Sequence, residues 1–379
     1  MKKILIGSYI CLLLFVAFIS YLFVDPNFFY LKNIYSGIAF KNRQIITFLY
    51  LLIILSFFIF YFLFLLLIHR KLINAKDIKL LVVLTAGVLF FAYPAMLSYD
   101  IFNYITTAKV LFHYHENPYI VMPIEFANDP YLLFTHAANK IALYGPFWIL
   151  LSGIPFLLGF GNFLLILFNF KLVIVLFYYG VSYFIWKISK NIFSVVLFSL
   201  NPLVVVEALV ASHNDIAMMF FTISSFFFLI RKKVGLAVIF FILSIFIKYV
   251  TIILIPVFIY TFWQTIRKKT VDWEKAFYYS SLLMLIAFFL SPIREEIYPW
   301  YAIWFLPFVG LVHQSKTLLY IALAFSFGLL LRYVPFMLLG THFGVTPFFK
   351  TALTFIPVFF VLIYVFFKDK LWLKIFSRS

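Results

Sequence analysis

Long apolar runs separated by short basic clusters leave this chain few folds to adopt. Residues 4–24, 46–68 and 79–97 are each about twenty residues long and predominantly apolar, the length a helix needs to cross a hydrocarbon core. Between such runs sit Arg70-Lys71, Arg231-Lys232-Lys233 and Arg267-Lys268-Lys269. Basic clusters next to spans mark loops held on the cytoplasmic side. The runs are unbroken, whereas strands of a membrane barrel alternate apolar and polar residues. The pattern predicts an all-α integral membrane protein, a polytopic helical bundle.

Composition agrees with that reading. The chain is 66% hydrophobic and 11% charged, against about 25% charged in soluble domains. Its 55 phenylalanines exceed what a soluble core needs, and lipid-facing surfaces explain the excess. The net charge of +17 would suit a nucleic acid, but its short clusters follow the membrane-orienting pattern, so no nucleic-acid partner is expected. The single cysteine, Cys11, excludes a disulfide framework within one chain. Met1-Lys2-Lys3 precedes an apolar run too long for a signal peptide, without a small-residue cleavage site, and reads as a retained first span.

Loop charges orient the spans. The loop 69–78 carries Arg70, Lys71 and Lys76 and is expected to be cytoplasmic, with the N-terminus on the same side. The third span then delivers the longest polar stretch, 98–145, to the external face, with two short interfacial helices expected near 99–113 and 125–141. Further apolar runs lie at 146–160, 163–186, 192–209, 216–230, 234–262, 276–291, 299–313, 317–331 and 346–367. They predict a single transmembrane domain over 1–379, about 11–13 spans, and a cytoplasmic C-terminus. The run 234–262 is too long for one span and reads as a hairpin with Lys248 at its outer tip. Lys187 and Lys190 conflict with the scheme. They belong inside, yet two spans between 146 and 186 put them outside, so either one run is re-entrant or the side is wrong there.

The chemistry gathers on one side. Asp100, His113, His115, His213, Asp215, Lys248, Arg294, Glu295 and Glu296 all map to the external face, and charged groups near a membrane tend to mark function. Asp100, in Ser98-Tyr99-Asp100-Ile101-Phe102-Asn103-Tyr104, is either a general base or a helix cap. Asn117-Pro118-Tyr119 and Tyr144-Gly145-Pro146 have turn-forming sequences. His113 and His115 are weak candidates for a metal. Pro202 and Glu207 inside an apolar run predict a broken helix lining a polar cavity, and Asp215 is placed to start the next helix. Lys248 is an interfacial anchor or a phosphate contact. Arg294 is a phosphate contact or a partner of Glu295 or Glu296, and Trp300-Tyr301 suits an aromatic belt. The cytoplasmic loops hold no Gly-rich phosphate loop.

The order of these motifs is more specific than any one of them. An Asp after a span, then Asn-Pro-Tyr, Tyr-Gly-Pro, Asn-Pro…His-Asn-Asp, a lysine hairpin and Pro-Trp-Tyr resembles the polyprenyl-phosphate-mannose-dependent mannosyltransferases of bacterial envelopes, multi-span enzymes of the GT-C glycosyltransferase fold. The resemblance covers roughly residues 94–305. It implies that Asp100, at the position of the family's acidic residue in the first large external loop, is the catalytic base. Other GT-C enzymes often carry two adjacent acidic residues there. Here the residues are Tyr99-Asp100, which argues against a metal-binding acidic pair at that point, and no cofactor is assigned beyond a possible divalent cation. The resemblance further implies inverting transfer of a hexose, mannose in that family, from a polyprenyl-phosphate donor to an envelope glycan or glycolipid at the cell membrane. Substrate contacts would come from Asn103, Tyr104, Asn117, Tyr119, Tyr144, His213, Asn214, Asp215, Lys248, Arg294, Trp300 and Tyr301. The alternative is a transporter or flippase of a lipid-linked or anionic solute. Such a protein should place its binding groups near mid-membrane, often between internal repeats, and neither is apparent.

Overall fold

The computed structural model describes residues 2–376 except 32, 34–36, 294–295 and 313, with side chains described as far as Lys368. The expected roles of Arg294 and Glu295 therefore lie outside the described residues. Among those residues the elements are helical and none is a strand, which removes the barrel alternative.

The principal helices are α1 (Lys2–Ser20), α2 (Arg43–His69), α3 (Ala75–Leu89), α4 (Asp100–Phe112), α5 (Pro146–Leu157), α6 (Phe163–Ser189), α7 (Ile192–Ser199), α8 (Pro202–Val210) and α9 (Asp215–Ile230). They continue as α10 (Val234–Ile245), α11 (Ile255–Ile266), α12 (Trp273–Leu290), α13 (Pro299–Leu311), α14 (Lys316–Leu331) and α15 (Thr346–Phe376). Seven described helical segments are long and apolar enough to cross a membrane, or eight if the bent pair α7–α8 counts as one span. This is a multi-pass membrane protein. Shorter apolar helices, among them α9, α10 and α13, alternate with the long ones.

The basic turns lie at helix ends. Lys2 bonds Asp77 at 2.8 Å, tying the start of α1 to the start of α3. Lys71, Lys190, Lys232 and Lys268 each adopt a left-handed backbone, with φ between 52° and 58°, where a helix stops. Glycine usually fills such positions, and a side chain there costs roughly 1–2 kcal/mol. A cation at a helix C-terminus returns about 0.3–1 kcal/mol of that. These lysines therefore compensate part of their own strain.

The conflict at Lys187 and Lys190 resolves through α5. Twelve residues rise only about 18 Å, short of a hydrocarbon core of about 30 Å. Helix α5 starts next to Tyr144-Gly145, and α6 starts with Phe163 packed on Tyr131 and Phe134 of the same polar stretch. Both ends of α5 thus lie at the polar end, and α6 carries Lys187 and Lys190 away from it.

Two further expectations need correction. No α-helix forms over 125–141, only short 3-10 helices at Pro123–Glu125 and Pro130–Phe134, because Pro130 bars the preceding Asp129 from helical geometry. The run expected to span 79–97 forms a helix only as far as Leu89, short of a full span, and the extended Tyr93 leads into a short 3-10 helix at Pro94–Met96. Helix α4 forms as expected but is mostly covered by protein, with Ile101, Phe102, Tyr104, Ile105 and Ala108 buried.

Close helix contacts use small residues. A Cβ on Gly328 would lie 2.3 Å from the Thr354 carbonyl oxygen, so α14 and α15 meet backbone to backbone. The break between α7 and α8 bends the chain by 50° at Asn201-Pro202. The Asn201 side chain accepts the Leu203 N–H and donates to Ser326. Beyond it, residues 205–210 wind as a π-helix, and Lys171 of α6 donates to the freed carbonyls of Leu209 and Val210 at 3.0 and 3.2 Å. A buried ammonium is costly in a membrane, but carbonyls at a helix C-terminus offset that cost.

Candidate active site

Two helices begin with a carboxylate at the polar end: Asp100 opens α4 and Asp215 opens α9. Acidic residues are favoured there because a helix N-terminus presents unpaired N–H groups and a partial positive charge. The capping reading of Asp100 does not describe its side chain. Ser98 Oγ accepts the Asp100 N–H at 3.3 Å, and the Asp100 carboxylate points instead towards His213.

Between these helix ends lies a cavity of about 560 Å³. Asp100, Asn103, Tyr144, Lys248, Trp300 and Tyr301, all sequence candidates, line it. Val250, Ile253, Ala287 and Leu290 form an apolar wall. Tyr249 and Leu290, which also line the cavity, are exposed.

One side of the cavity is built on His213. Its ring is fully buried, with Nδ1 3.5 Å from Asp100 Oδ2 and Nε2 3.2 Å from Glu207 Oε2. Neither contact is aligned as a hydrogen bond. The imidazole also stacks on Trp300, with ring centroids 4.0 Å apart. Burial disfavours the imidazolium, but the two carboxylates outweigh it and hold His213 up to about 9. Burial likewise opposes ionisation of Asp100. His213, Lys248 and Asn103 outweigh that effect and hold its carboxyl below the usual range. Asp100 is ionised at neutral pH and keeps 25% of its side chain exposed.

The other side is locked. Asp215 is fully buried, with Oδ2 2.7 Å from Lys248 Nζ and Oδ1 accepting the Trp304 indole N–H. Lys248 occupies a break after α10, where its backbone is extended. The carbonyls exposed by the break are taken by Gly145 N–H, bonded to Ile247 O at 3.0 Å, and Phe147 N–H, bonded to Phe246 O at 2.9 Å. A Cβ on Gly145 would fall 2.2 Å from Phe246 O, so only glycine allows this approach. The Tyr-Gly-Pro motif thus clamps the polar stretch onto the Lys248 break.

The remaining candidates stand behind the lining. Tyr104 is buried and its hydroxyl bonds the Asn214 side chain and backbone. Asn117 accepts the Tyr119 N–H, and the Tyr119 hydroxyl supports the Tyr144 carbonyl at 2.8 Å. These two residues shape the loop and do not line the cavity. Among the described residues no group of three or more His, Cys, Asp or Glu side chains could hold a metal ion.

Sequence reasoning missed Trp304, Tyr298 and Lys140, which also line the cavity. Lys140 has no ion-pair partner among the described residues. A lysine in a polar loop carries no distinguishing sequence signal. Glu207, read only as a sign of a broken helix, sits within reach of the imidazole.

The fold and the cavity define a multi-pass helical membrane protein with a carboxylate in a polar cavity. Residues 6–264 match the family model for the N-terminal domain of alpha-(1→6)-mannopyranosyltransferases, and the chain belongs to that family. It is a glycosyltransferase-family protein acting on mannose. Comparisons with curated proteins and with solved structures gave no match.

Proposed function

We propose that this cavity transfers mannose from a polyprenyl-phosphate donor to a hydroxyl of an envelope glycan or glycolipid, at the external face of the cell membrane. The observation that carries this reading is one cavity holding an ionised, partly exposed Asp100, two lysines and an apolar wall that includes the exposed Leu290. The charge of the basic turns favours placing them, with both termini, in the cytoplasm.

The groups divide the work as follows. Lys248 and Lys140 face the donor phosphate, and the positive ends of α4 and α9 favour the same charge. Val250, Ile253, Ala287 and Leu290 take the first isoprene units. The rings of Trp300 and Tyr301 offer apolar faces to the sugar. Asp100 accepts the acceptor hydroxyl proton as that oxygen bonds the anomeric carbon, and the bond from that carbon to the phosphate oxygen breaks. The lipid phosphate leaves as the anion and needs no acid. A carboxylate with a lowered pKa is a weak base at rest, so proton transfer comes late, when bond formation has acidified the hydroxyl. One displacement inverts the anomeric centre, so the α linkage in the family's description calls for a β-linked donor.

The test is transfer of labelled mannose by purified protein, with a lipid-phosphate donor in one arm and a nucleotide-linked donor in the other. Product from the lipid-phosphate arm alone is expected. Product from the nucleotide arm alone overturns the donor assignment. Movement of labelled donor across vesicles without product favours a flippase.

A further inference from the structure

Glu207 is a fully buried carboxylate in an apolar helix that the transfer step above does not use. It lies in the π-wound stretch after the Asn201-Pro202 break. One of its oxygens receives the Tyr333 hydroxyl at 3.0 Å, and the other lies 3.2 Å from His213 Nε2. The opposite ring nitrogen of His213 faces Asp100. Tyr333, Glu207, His213 and Asp100 thus form one line from the helix-packed interior to the cavity.

Several devices hold this line. The His213 N–H bonds the Glu207 carbonyl at 3.0 Å, so residue and partner belong to one turn. The preceding Ser212 takes a left-handed backbone, with φ 63°, which turns the chain back towards the carboxylate. Lys171 anchors the carbonyls of Leu209 and Val210 beside it. The Trp300 ring covers the imidazole face. A carboxylate buried without full neutralisation is expensive, so its presence here calls for an explanation beyond packing.

We propose that Glu207 is the positioning residue behind Asp100, acting through His213 to fix the imidazole and aim the Asp100 carboxylate at the acceptor hydroxyl. The inference rests on Asp100 being the base. Glu207 touches no substrate. Its carboxylate and that of Asp100 flank one imidazole ring, one at each ring nitrogen. Facing the ring are Asp100 from α4 and Glu207 from α8. Tyr50 and Tyr333 stand near Glu207. Asp215 and Lys248, alongside, are paired with each other. Burial works against the charged ring, and the two carboxylates keep it protonated up to about 9.

Removing one carboxylate weakens that hold, so the ring loses its proton at lower pH. The experiment compares pH–rate profiles of lipid-phosphate mannose transfer for the wild type, Glu207→Gln, Glu207→Asp and Asp100→Asn. Detergent melting of each checks the fold. With Asp100→Asn inactive, Glu207→Gln is expected to lower kcat at least tenfold, to keep KM within threefold, and to move the alkaline limb down by about one unit or more. Glu207→Asp should restore part of kcat and of the limb. A Glu207→Gln profile like that of the wild type, or one lowered uniformly with the limb unmoved, overturns the positioning role and leaves the base intact. An active Asp100→Asn overturns the base and this inference with it.

Discussion

Two carboxylates open two helices at the same cavity, and their surroundings are opposite. Asp215 is fully buried, with one oxygen on Lys248 and the other on Trp304. Asp100 is partly exposed and holds an imidazole at 3.5 Å, without the alignment of a hydrogen bond. The first pair is neutral, with both carboxylate oxygens engaged, while Lys248 still lines the cavity. The second group shares one imidazolium with Glu207 and retains capacity to accept a proton. Equivalent helix positions therefore support different work, and the partner decides which. Asp215 holds the wall that carries Lys248, while Asp100 is left open to substrate.

That contrast can be broken by substitution. The largest effect on stability is expected for Asp215→Asn. It leaves the Lys248 ammonium without its carboxylate, and breaking such a buried pair costs about 3–5 kcal/mol. Detergent melting should fall steeply, and a melting point equal to the wild type would remove the structural role given to Asp215. Gly145→Ala comes next. Its Cβ would collide with Phe246 O at 2.2 Å, so the clamp must shift and displace the Lys248 break. Misplacement by about 1 Å costs on the order of 10²-fold in rate. An unchanged kcat would show that the clamp does not set the site.

Lys140→Met sharpens the comparison from the solvent side. The lysine has no ion-pair partner among the described residues, so its loss should leave folding alone. KM for the lipid-phosphate donor should rise by about three- to tenfold with kcat unchanged, the pattern of lost uniform binding. A fall in kcat alone would place Lys140 elsewhere in the reaction. The smallest effect is expected for Tyr333→Phe, which removes one hydrogen bond to Glu207 and keeps every charge. A loss of about 1–2 kcal/mol in melting stability is expected, with the alkaline limb of activity unmoved. A limb that shifts as far as in Glu207→Gln would mean that the hydroxyl, not the charge, holds the imidazole.

The long apolar helices, the lysine break and the Asn201-Pro202 break were legible because each leaves a local mark in hydropathy or turn chemistry. The expected 11–13 spans overcount the seven or eight described segments long enough to cross, because several apolar runs form helices of only 12–16 residues. The course of α5 was not legible. Its apolar length resembles a span, and only the packing of Phe163 on Tyr131 and Phe134 reveals the return. Glu207 was visible as an oddity but not as a partner of His213, because the π winding and the left-handed Ser212 set that contact. Pairing of Lys248 with Asp215 joins residues 33 positions apart, which no local pattern encodes. The helix expected over 125–141 failed because Asp129-Pro130 outweighs the surrounding helix-compatible residues.

The most direct test of the central claim is single-turnover mannose transfer by purified Asp100→Asn at saturating lipid-phosphate donor and acceptor. The substitution keeps the shape of the side chain and removes its proton affinity. With Asp100 as the base, the rate should fall by about 10²–10⁴-fold, while donor binding and melting stay near the wild type. A rate within threefold of the wild type would contradict it.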